Sequence, residues 1–204
     1  MGWDVLFSGD SVLEFLRGTV IGRPWGLIAD CAEAFHDQIA RHYNTHVLAI
    51  SGDYTSNLLW RVTAGGEMPK RQPKVVVIYI GSNDLSAADC GNASGEAALL
   101  EAVKPLLARV HAIVRSYRAA LPHARLLLLG MMPRAGRYWE PDQRSVWPNA
   151  YTRPLAAVNA GYKAIAAIDP MVSYLACGQQ LAPNLTRYTS DGIHPTAAGY
   201  DLSV

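Results

Sequence analysis

Three residues far apart in the chain carry the side chains that a nucleophilic serine mechanism requires. Ser11 follows Gly9 and Asp10 directly after an apolar run, and Asp191 and His194 stand in "DGIHP" near the other end of the sequence. A spacing of three residues lets one turn bring the Asp191 carboxylate to one imidazole nitrogen of His194, which leaves the other nitrogen to take a proton from a hydroxyl. We therefore predict a catalytic set with Ser11 as nucleophile, His194 as base and Asp191 as orienting group.

Each of these residues also has a simpler structural interpretation. Ser11 can be the N-cap of a helix, because its hydroxyl can accept a hydrogen bond from a free N–H of the first turn. Asp191 can likewise cap a helix, and His194 can lie in a surface loop. The two interpretations of Ser11 are compatible, since one residue can both begin a helix and attack an ester.

Two further positions could stabilise a developing oxyanion. Gly52 and Asn83 follow the apolar runs "HVLAIS" and "VVVIYIG". A glycine there is commonly a turn residue, and an Asn-Asp pair commonly bonds to its local backbone. An exposed glycine N–H and a side-chain NH2 are also suitable oxyanion donors. Because both residues leave the ends of apolar runs, we expect them to converge with Ser11 on one pocket.

Strands and helices are expected to alternate along the chain. Apolar runs of strand length occupy residues 3–8, 45–51, 74–81 and 124–132, and helical periodicity covers residues 25–42, 95–120 and 152–167. Pro105 is expected to kink or divide the second helix. The pattern predicts an α/β domain of three layers, α/β/α, with a mainly parallel sheet, and ligands bind such sheets at the C-terminal ends of the strands.

Length and composition limit the remaining possibilities. The 204 residues, half of them hydrophobic, are expected to form a single domain over residues 1–204. A net charge of +1 gives no reason to expect nucleic acid as a partner. Three scattered cysteines argue against a disulfide framework or a zinc site. The opening "MGWDVLFSGD" has no basic region followed by a long apolar stretch, so we expect no signal peptide, no transmembrane segment and an intracellular location.

Four blocks in this order resemble those of the SGNH hydrolases, also called GDSL-type esterases and lipases. They are "GDS" at 9–11, Gly52, "GSND" at 81–84 and "DGIHP" at 191–195. The stretches "SGDYTSNLLWRV" and "LLLLGMMPR" are most similar to the branch that contains the platelet-activating-factor acetylhydrolase-type subunits. The resemblance implies a flavodoxin-like fold, no metal or organic cofactor, and hydrolysis of carboxylic esters, with short acyl groups such as acetyl favoured.

Carried over by position, the resemblance also assigns supporting roles. The backbone N–H of Ser11 joins Gly52 and Asn83 in an oxyanion hole, and Asp10 and Asp84 support their loops. The implied partner is a small-molecule or lipid ester, and a homodimer or assembly subunit is plausible. Two alternatives stay open: a catalytically inert subunit with this fold, and an acyltransferase that uses the same triad.

Three features depart from the family pattern. The interval from Ser11 to Gly52 is long, and residues 17–28 are expected to be an insertion that lines or covers the site. The loop at residues 133–150, which contains Trp139 and Trp147, is expected to form part of an acyl or alcohol pocket. Relatives usually complete a terminal helix after the histidine block, so we expect the end of that helix to be lacking here.

Overall fold

The computed structural model describes residues 2–90, 94–136, 142, 146–178, 181, 187 and 191–200. Its strands are β1 (Val5–Gly9), β2 (Thr19–Val20), β3 (Arg23–Pro24), β4 (Thr45–Ala49), β5 (Val75–Tyr79), β6 (Arg125–Leu129) and β7 (Val172–Leu175). Its α-helices are α1 (Ser11–Glu14), α2 (Ala29–Phe35), α3 (Thr55–Thr63), α4 (Ser82–Ala88), α5 (Glu96–Ala120), α6 (Thr152–Ala166) and α7 (Ala197–Tyr200).

Five strands form a parallel sheet in the order β4-β1-β5-β6-β7, while β2 and β3 form a separate antiparallel hairpin. Strand β1 lies between β4 and β5, and the register pairs Gly9 with Ala49 on one side and with Tyr79 on the other. The chain therefore winds away from β1 in both directions. In sheets of this order the crevice at the carboxyl ends of the strands, beside the first strand, is the usual ligand site.

Helices cover both faces of the sheet because successive strand residues point to opposite sides. Leu6 and Val76 face a core built with α3, α5 and α6. Phe7 and Val77 face a smaller core that includes Val12 of α1. The predicted three-layer α/β class with a parallel sheet is confirmed.

The four predicted strands are present, each slightly shorter than its apolar run. The edge strand β7 was not predicted, because its four residues include two exposed positions and therefore lack the long apolar run of a central strand. Helix α5 continues through Pro105 as one element, so the expected division is wrong, while the expected kink stays a prediction. Pro105 lies on the exposed side of the helix, so water can satisfy the carbonyl that loses its N–H partner.

The predicted helix over residues 25–42 is a composite. A 3-10 turn at Gly26–Ile28 leads into α2, which continues as a π-helical segment at His36–Ala40. Helices α3 and α4 were not predicted, because both are short and begin with polar residues that are typical of turns. Both begin at the carboxyl edge of the sheet, next to the candidate site.

The cysteines Cys31, Cys90 and Cys177 are free thiols. Within the described ranges, no helix is both long enough and apolar enough to cross a membrane.

Candidate active site

The tight end of β1 places Ser11 at the carboxyl edge of the sheet. A Cβ atom on Gly9 would lie 1.9 Å from the carbonyl oxygen of Tyr79, so only glycine fits there. Asp10 follows as the N-cap of α1, and its Oδ1 accepts a hydrogen bond from the N–H of Val12 at 3.1 Å. The N-cap interpretation of Ser11 was therefore wrong by one residue. Ser11 is the first residue of α1, and its hydroxyl is not used as the cap.

The structure brings Ser11, His194 and Asp191 together across the length of the chain. His194 Nε2 lies 2.7 Å from Ser11 Oγ, and His194 Nδ1 lies 2.6 Å from Asp191 Oδ2. An ionised carboxylate can only accept hydrogen bonds, so Nδ1 carries the proton and Nε2 is the acceptor. This is the tautomer in which histidine can take the serine proton.

The Asp191–His194 turn is held by local hydrogen bonds and by one aromatic contact. Asp191 Oδ1 accepts from the N–H groups of Ile193 at 2.8 Å and His194 at 3.1 Å. The N–H of Ala135, in the loop after β6, donates to the Gly192 carbonyl at 2.8 Å. The Phe15 ring stacks on the imidazole, with 4.5 Å between centroids. The orientation of the imidazole is thus fixed on one face and at one nitrogen.

Gly52 and Asn83 lie beyond the carboxyl ends of β4 and β5, respectively. These are the two strands that flank β1. Gly52 has a φ of +89°, and the space where a side chain would stand is open. Asn83 Nδ2 donates one hydrogen to the Asp53 carbonyl at 2.9 Å. A primary amide has two such hydrogens, so a second one remains for another acceptor.

Asp84 fixes the loop that carries Gly52. Its Oδ2 accepts from the Thr55 N–H at 2.8 Å, and its Oδ1 accepts from the Thr55 hydroxyl at 2.6 Å and from Arg109 Nη2 at 2.9 Å. Asn83 and Asp84 both lie in the first turn of α4, so they are helical residues rather than an isolated turn. The buried Asp84 carboxylate thereby ties the start of α3 to the start of α4.

Asp10 is fully buried beneath the nucleophile. Among the described residues, none provides a hydrogen-bond partner for its Oδ2. Burial raises the pKa of this carboxyl to about 8, although the Val12 N–H opposes the shift. Burial also raises the pKa of the neighbouring Asp53 in spite of its ion pair with Arg61 at 2.7 Å. The floor of the site therefore holds two carboxyl groups whose pKa values burial raises.

Glu14 and Arg61 are buried charged residues that the sequence analysis did not single out. Arg61 donates to the Gly9 carbonyl at 3.2 Å in addition to its ion pair with Asp53. The Glu14 carboxylate accepts six hydrogen bonds, and although burial raises its pKa, these bonds together lower it to about 2. The available signal for Glu14 was an acidic residue between apolar neighbours, one helical turn after Ser11.

The segment at residues 17–28 packs beside Phe15, whose ring stacks on His194, and its role as an insertion that lines or covers the site stays a prediction. It contains the β2–β3 hairpin, and its Trp25 meets the Phe15 ring edge-on at 6.4 Å between centroids. In the loop at residues 133–150, Trp147 is partly buried against the main core. Trp139 lies outside the described residues, so its predicted contribution to a pocket stays a prediction.

An apolar cavity of about 420 Å³ lies against the sheet face that carries Phe7 and Val77. Its lining includes Val12 and Leu13 of α1 but neither Ser11 nor His194. The cavity is therefore separate from the triad. Within the described part of the chain, no group of three or more His, Cys, Asp or Glu side chains is arranged to hold a metal ion.

A serine, histidine and aspartate in hydrogen-bonded sequence at a strand edge are typical of serine hydrolases. Comparison with known proteins agrees with this class: the model of the GDSL-like lipase/acylhydrolase family matches residues 7–202. The chain belongs to this family of carboxylic ester hydrolases, and the resemblance noted in the sequence is confirmed.

Individual relatives support the same assignment. The chain is 32% identical over 131 residues to platelet-activating factor acetylhydrolase IB subunit alpha2 of Gallus gallus. That match covers 64% of this chain and 44% of the relative, so it spans less than half of the relative's length.

Solved structures show that the fold is shared at low sequence identity. A GDSL-like lipase from Bacteroides thetaiotaomicron is 21% identical, with a TM-score of 0.60 and coverage of 97% of this chain and 82% of that one. An acetylxylan esterase from Geobacillus stearothermophilus is 16% identical, with a TM-score of 0.64 and coverage of 98% and 90%.

Proposed function

We propose that the protein hydrolyses carboxylic esters through an acyl-enzyme formed on Ser11. The observation that carries this proposal is the continuous arrangement of Ser11 Oγ, the His194 imidazole and the Asp191 carboxylate, joined at 2.7 and 2.6 Å. Distances of this kind allow direct proton transfer between the hydroxyl and the imidazole.

In the acylation half, Ser11 Oγ forms a bond to the ester carbonyl carbon while its proton passes to His194 Nε2. The resulting imidazolium is stabilised by the Asp191 carboxylate at Nδ1. Collapse of the tetrahedral intermediate breaks the bond to the alcohol oxygen, and His194 returns the proton to that oxygen. Ser11 is left as an acyl ester and the alcohol departs.

In the deacylation half, His194 removes a proton from water, and the water oxygen attacks the acyl carbon. Collapse of this second intermediate breaks the bond to Ser11 Oγ, which recovers its proton from His194. The net reaction converts one ester and one water into one acid and one alcohol, with the protein unchanged.

Three donors are proposed to hold the negative oxygen in both intermediates. They are the N–H of Ser11, the N–H of Gly52 and the second Nδ2 hydrogen of Asn83. The N–H of Ser11 belongs to the first turn of α1, where backbone N–H groups have no partner within the helix. The space where a Gly52 side chain would stand is open, so this residue places no side chain in the way of a substrate.

We further propose that the acyl group is short, with acetyl as the first candidate. The support is the acetylhydrolase among the relatives, at 32% identity.

The test measures kcat of the wild type and of Ser11→Ala for a series of p-nitrophenyl esters, from acetate through butyrate to octanoate. Ser173→Ala, an exposed position on the edge strand β7, is the control. Ser11→Ala is expected to lower kcat by roughly 10⁴- to 10⁶-fold without changing the unfolding temperature. Ser173→Ala should keep wild-type kcat. Undiminished hydrolysis by Ser11→Ala would remove the mechanism, and a preference for octanoate would remove the acyl assignment alone.

A further inference from the structure

Glu14 is a buried charged residue beside the triad that the proposed chemistry does not use. Its side chain is fully buried one helical turn after Ser11, so both residues belong to the short helix α1. Oε2 of this carboxylate accepts from the Ser51 N–H at 2.5 Å and from the Ser51 hydroxyl at 2.6 Å. Ser51 immediately precedes Gly52, so Glu14 contacts the loop that carries a proposed oxyanion donor.

The same carboxylate also holds the β2–β3 hairpin. Its Oε1 accepts from the Thr19 hydroxyl at 2.8 Å and from the Gly22 N–H at 2.7 Å, and its Oε2 accepts from the Ile21 N–H at 3.1 Å. Ile21 has a φ of +49°, which is unfavourable for a β-branched residue. A strained turn persists only where its surroundings fix it, and the two N–H groups of this turn point at Glu14.

The backbone and one hydrogen bond connect Ser51 to Asn83, the other proposed oxyanion donor. The chain runs from Ser51 through Gly52 to Asp53, whose carbonyl accepts from Asn83 Nδ2 at 2.9 Å. Glu14 therefore stands at one end of a connected path that includes Gly52 and Asn83. A displacement of Ser51 would shift the Gly52 N–H relative to Ser11, and misplacements of about 1 Å can cost roughly 100-fold in rate.

We infer that Glu14 is a positioning residue for the oxyanion hole. Glu14 belongs to the same helix as Ser11, and by binding Ser51 it aligns the oxyanion hole with the nucleophile. This inference rests on the proposed ester hydrolysis. Glu14 does not touch the substrate in this role, and it acts through the Gly52 loop.

The decisive variant is Glu14→Gln, which keeps the size of the side chain and removes the charge. A glutamine has one oxygen acceptor and one NH2 donor. If the glutamine oxygen points toward Ser51, the glutamine NH2 faces the Gly22 N–H and Arg17. If the amide is turned the other way, its NH2 faces the N–H groups of Ser51 and Ile21. Either orientation opposes donors to donors, so one of the two loops must move.

The experiment measures kcat and KM for p-nitrophenyl acetate, with kcat expressed per site titrated by a fluorophosphonate so that unfolded protein does not count. Ser51→Ala, which removes only the hydroxyl bond, is the milder second variant in case Glu14→Gln does not fold. Asp169→Asn is the matched control. The Asp169 carboxylate also accepts hydrogen bonds from a backbone N–H, that of Met171, and from an arginine, Arg118. It precedes β7 and so lies at the amino end of the sheet, away from the site.

Glu14→Gln is expected to lower kcat about 10- to 100-fold with KM changed less than about 3-fold, and Ser51→Ala to lower kcat about 3- to 10-fold. Asp169→Asn should keep wild-type kcat per site. Wild-type kcat per site in both Glu14→Gln and Ser51→Ala, or in Ser51→Ala alone where Glu14→Gln does not fold, would overturn the inference, because the glutamine can keep its oxygen toward Ser51. A rise in KM with kcat unchanged would overturn it as well. An inactive wild type would instead reject the proposed function.

Discussion

The two ends of the chain contribute to the site from different physical environments. The Ser11 side is built on the sheet edge and surrounded by buried carboxylates, with side-chain exposures of 0% for Glu14 and 5% for Asp84. The Asp191–His194 side is a surface turn, and the Asp191 side chain is 37% exposed. A buried carboxylate that loses its partners destabilises the fold, whereas an exposed one has water as a substitute.

Because of this difference, we expect substitutions on the two sides of the site to have different effects on the free energy of unfolding and on catalytic activity. Changes in the Asp191–His194 turn should affect activity and leave unfolding nearly unchanged. Changes near Ser11, apart from the hydroxyl itself, should affect both.

The largest expected effect comes from Asp191→Asn. An asparagine can donate to His194 Nδ1 and so favours the wrong tautomer, which should lower kcat by roughly 10⁴-fold. Since the side chain is partly exposed, we expect the free energy of unfolding to change by less than about 1 kcal/mol. Steady-state kinetics and urea unfolding measure the two quantities. If Asp191→Asn unfolded the domain, the contrast between the two sides would fail.

An intermediate effect is expected from Asn83→Ala. Loss of one oxyanion donor should lower kcat about 10²- to 10³-fold. Loss of its hydrogen bond to the Asp53 carbonyl should also cost about 1 kcal/mol of stability. Asn44→Ala is the control. Asn44 also donates to a backbone carbonyl, but it precedes β4 and so lies at the amino end of the sheet, away from the site. Unchanged kcat in Asn83→Ala would remove Asn83 from the oxyanion hole.

A change in the pH dependence of unfolding, measured as stability and not as kcat, is expected in Asp10→Asn. With a pKa of about 8 in the folded protein, against about 3.9 in an unfolded chain, the folded state holds the extra proton between about pH 4 and pH 8. The free energy of unfolding should therefore fall as pH rises through that range, by at most about 1.4 kcal/mol per pH unit.

Asparagine cannot ionise, so Asp10→Asn should reduce this slope. Asp53, whose pKa is also raised, maintains part of it. Urea unfolding at pH 5, 6, 7 and 8 measures the slope. Equal slopes in the wild type and Asp10→Asn would show that Asp10 does not titrate there.

The sequence was sufficient to predict the fold class, because parallel buried strands leave long apolar runs. It also identified Ser11, Asp191 and His194, since a nucleophile after a strand and a carboxylate three residues before a histidine are local patterns. The structure now places these side chains in contact. Their catalytic roles stay proposals.

The further supporting residues Glu14, Arg61 and Arg109 could not be predicted from local patterns. Glu14 meets Ser51 across 37 residues, Arg61 meets Gly9 across 52, and Arg109 meets Thr55 across 54. Such contacts depend on which strands become neighbours in the sheet. The edge strand β7 was missed for a related reason, because its half-exposed position removes the apolar signal.

The most direct test of the central claim is covalent labelling of the wild type by a fluorophosphonate, followed by mass spectrometry of the peptide that contains Ser11. We expect one phosphonyl group on Ser11 in the wild type and in a His123→Ala control, and labelling slowed by several orders of magnitude in His194→Ala. Folded wild-type protein that resists the reagent, or labelling of Ser11 that does not depend on His194, would contradict it.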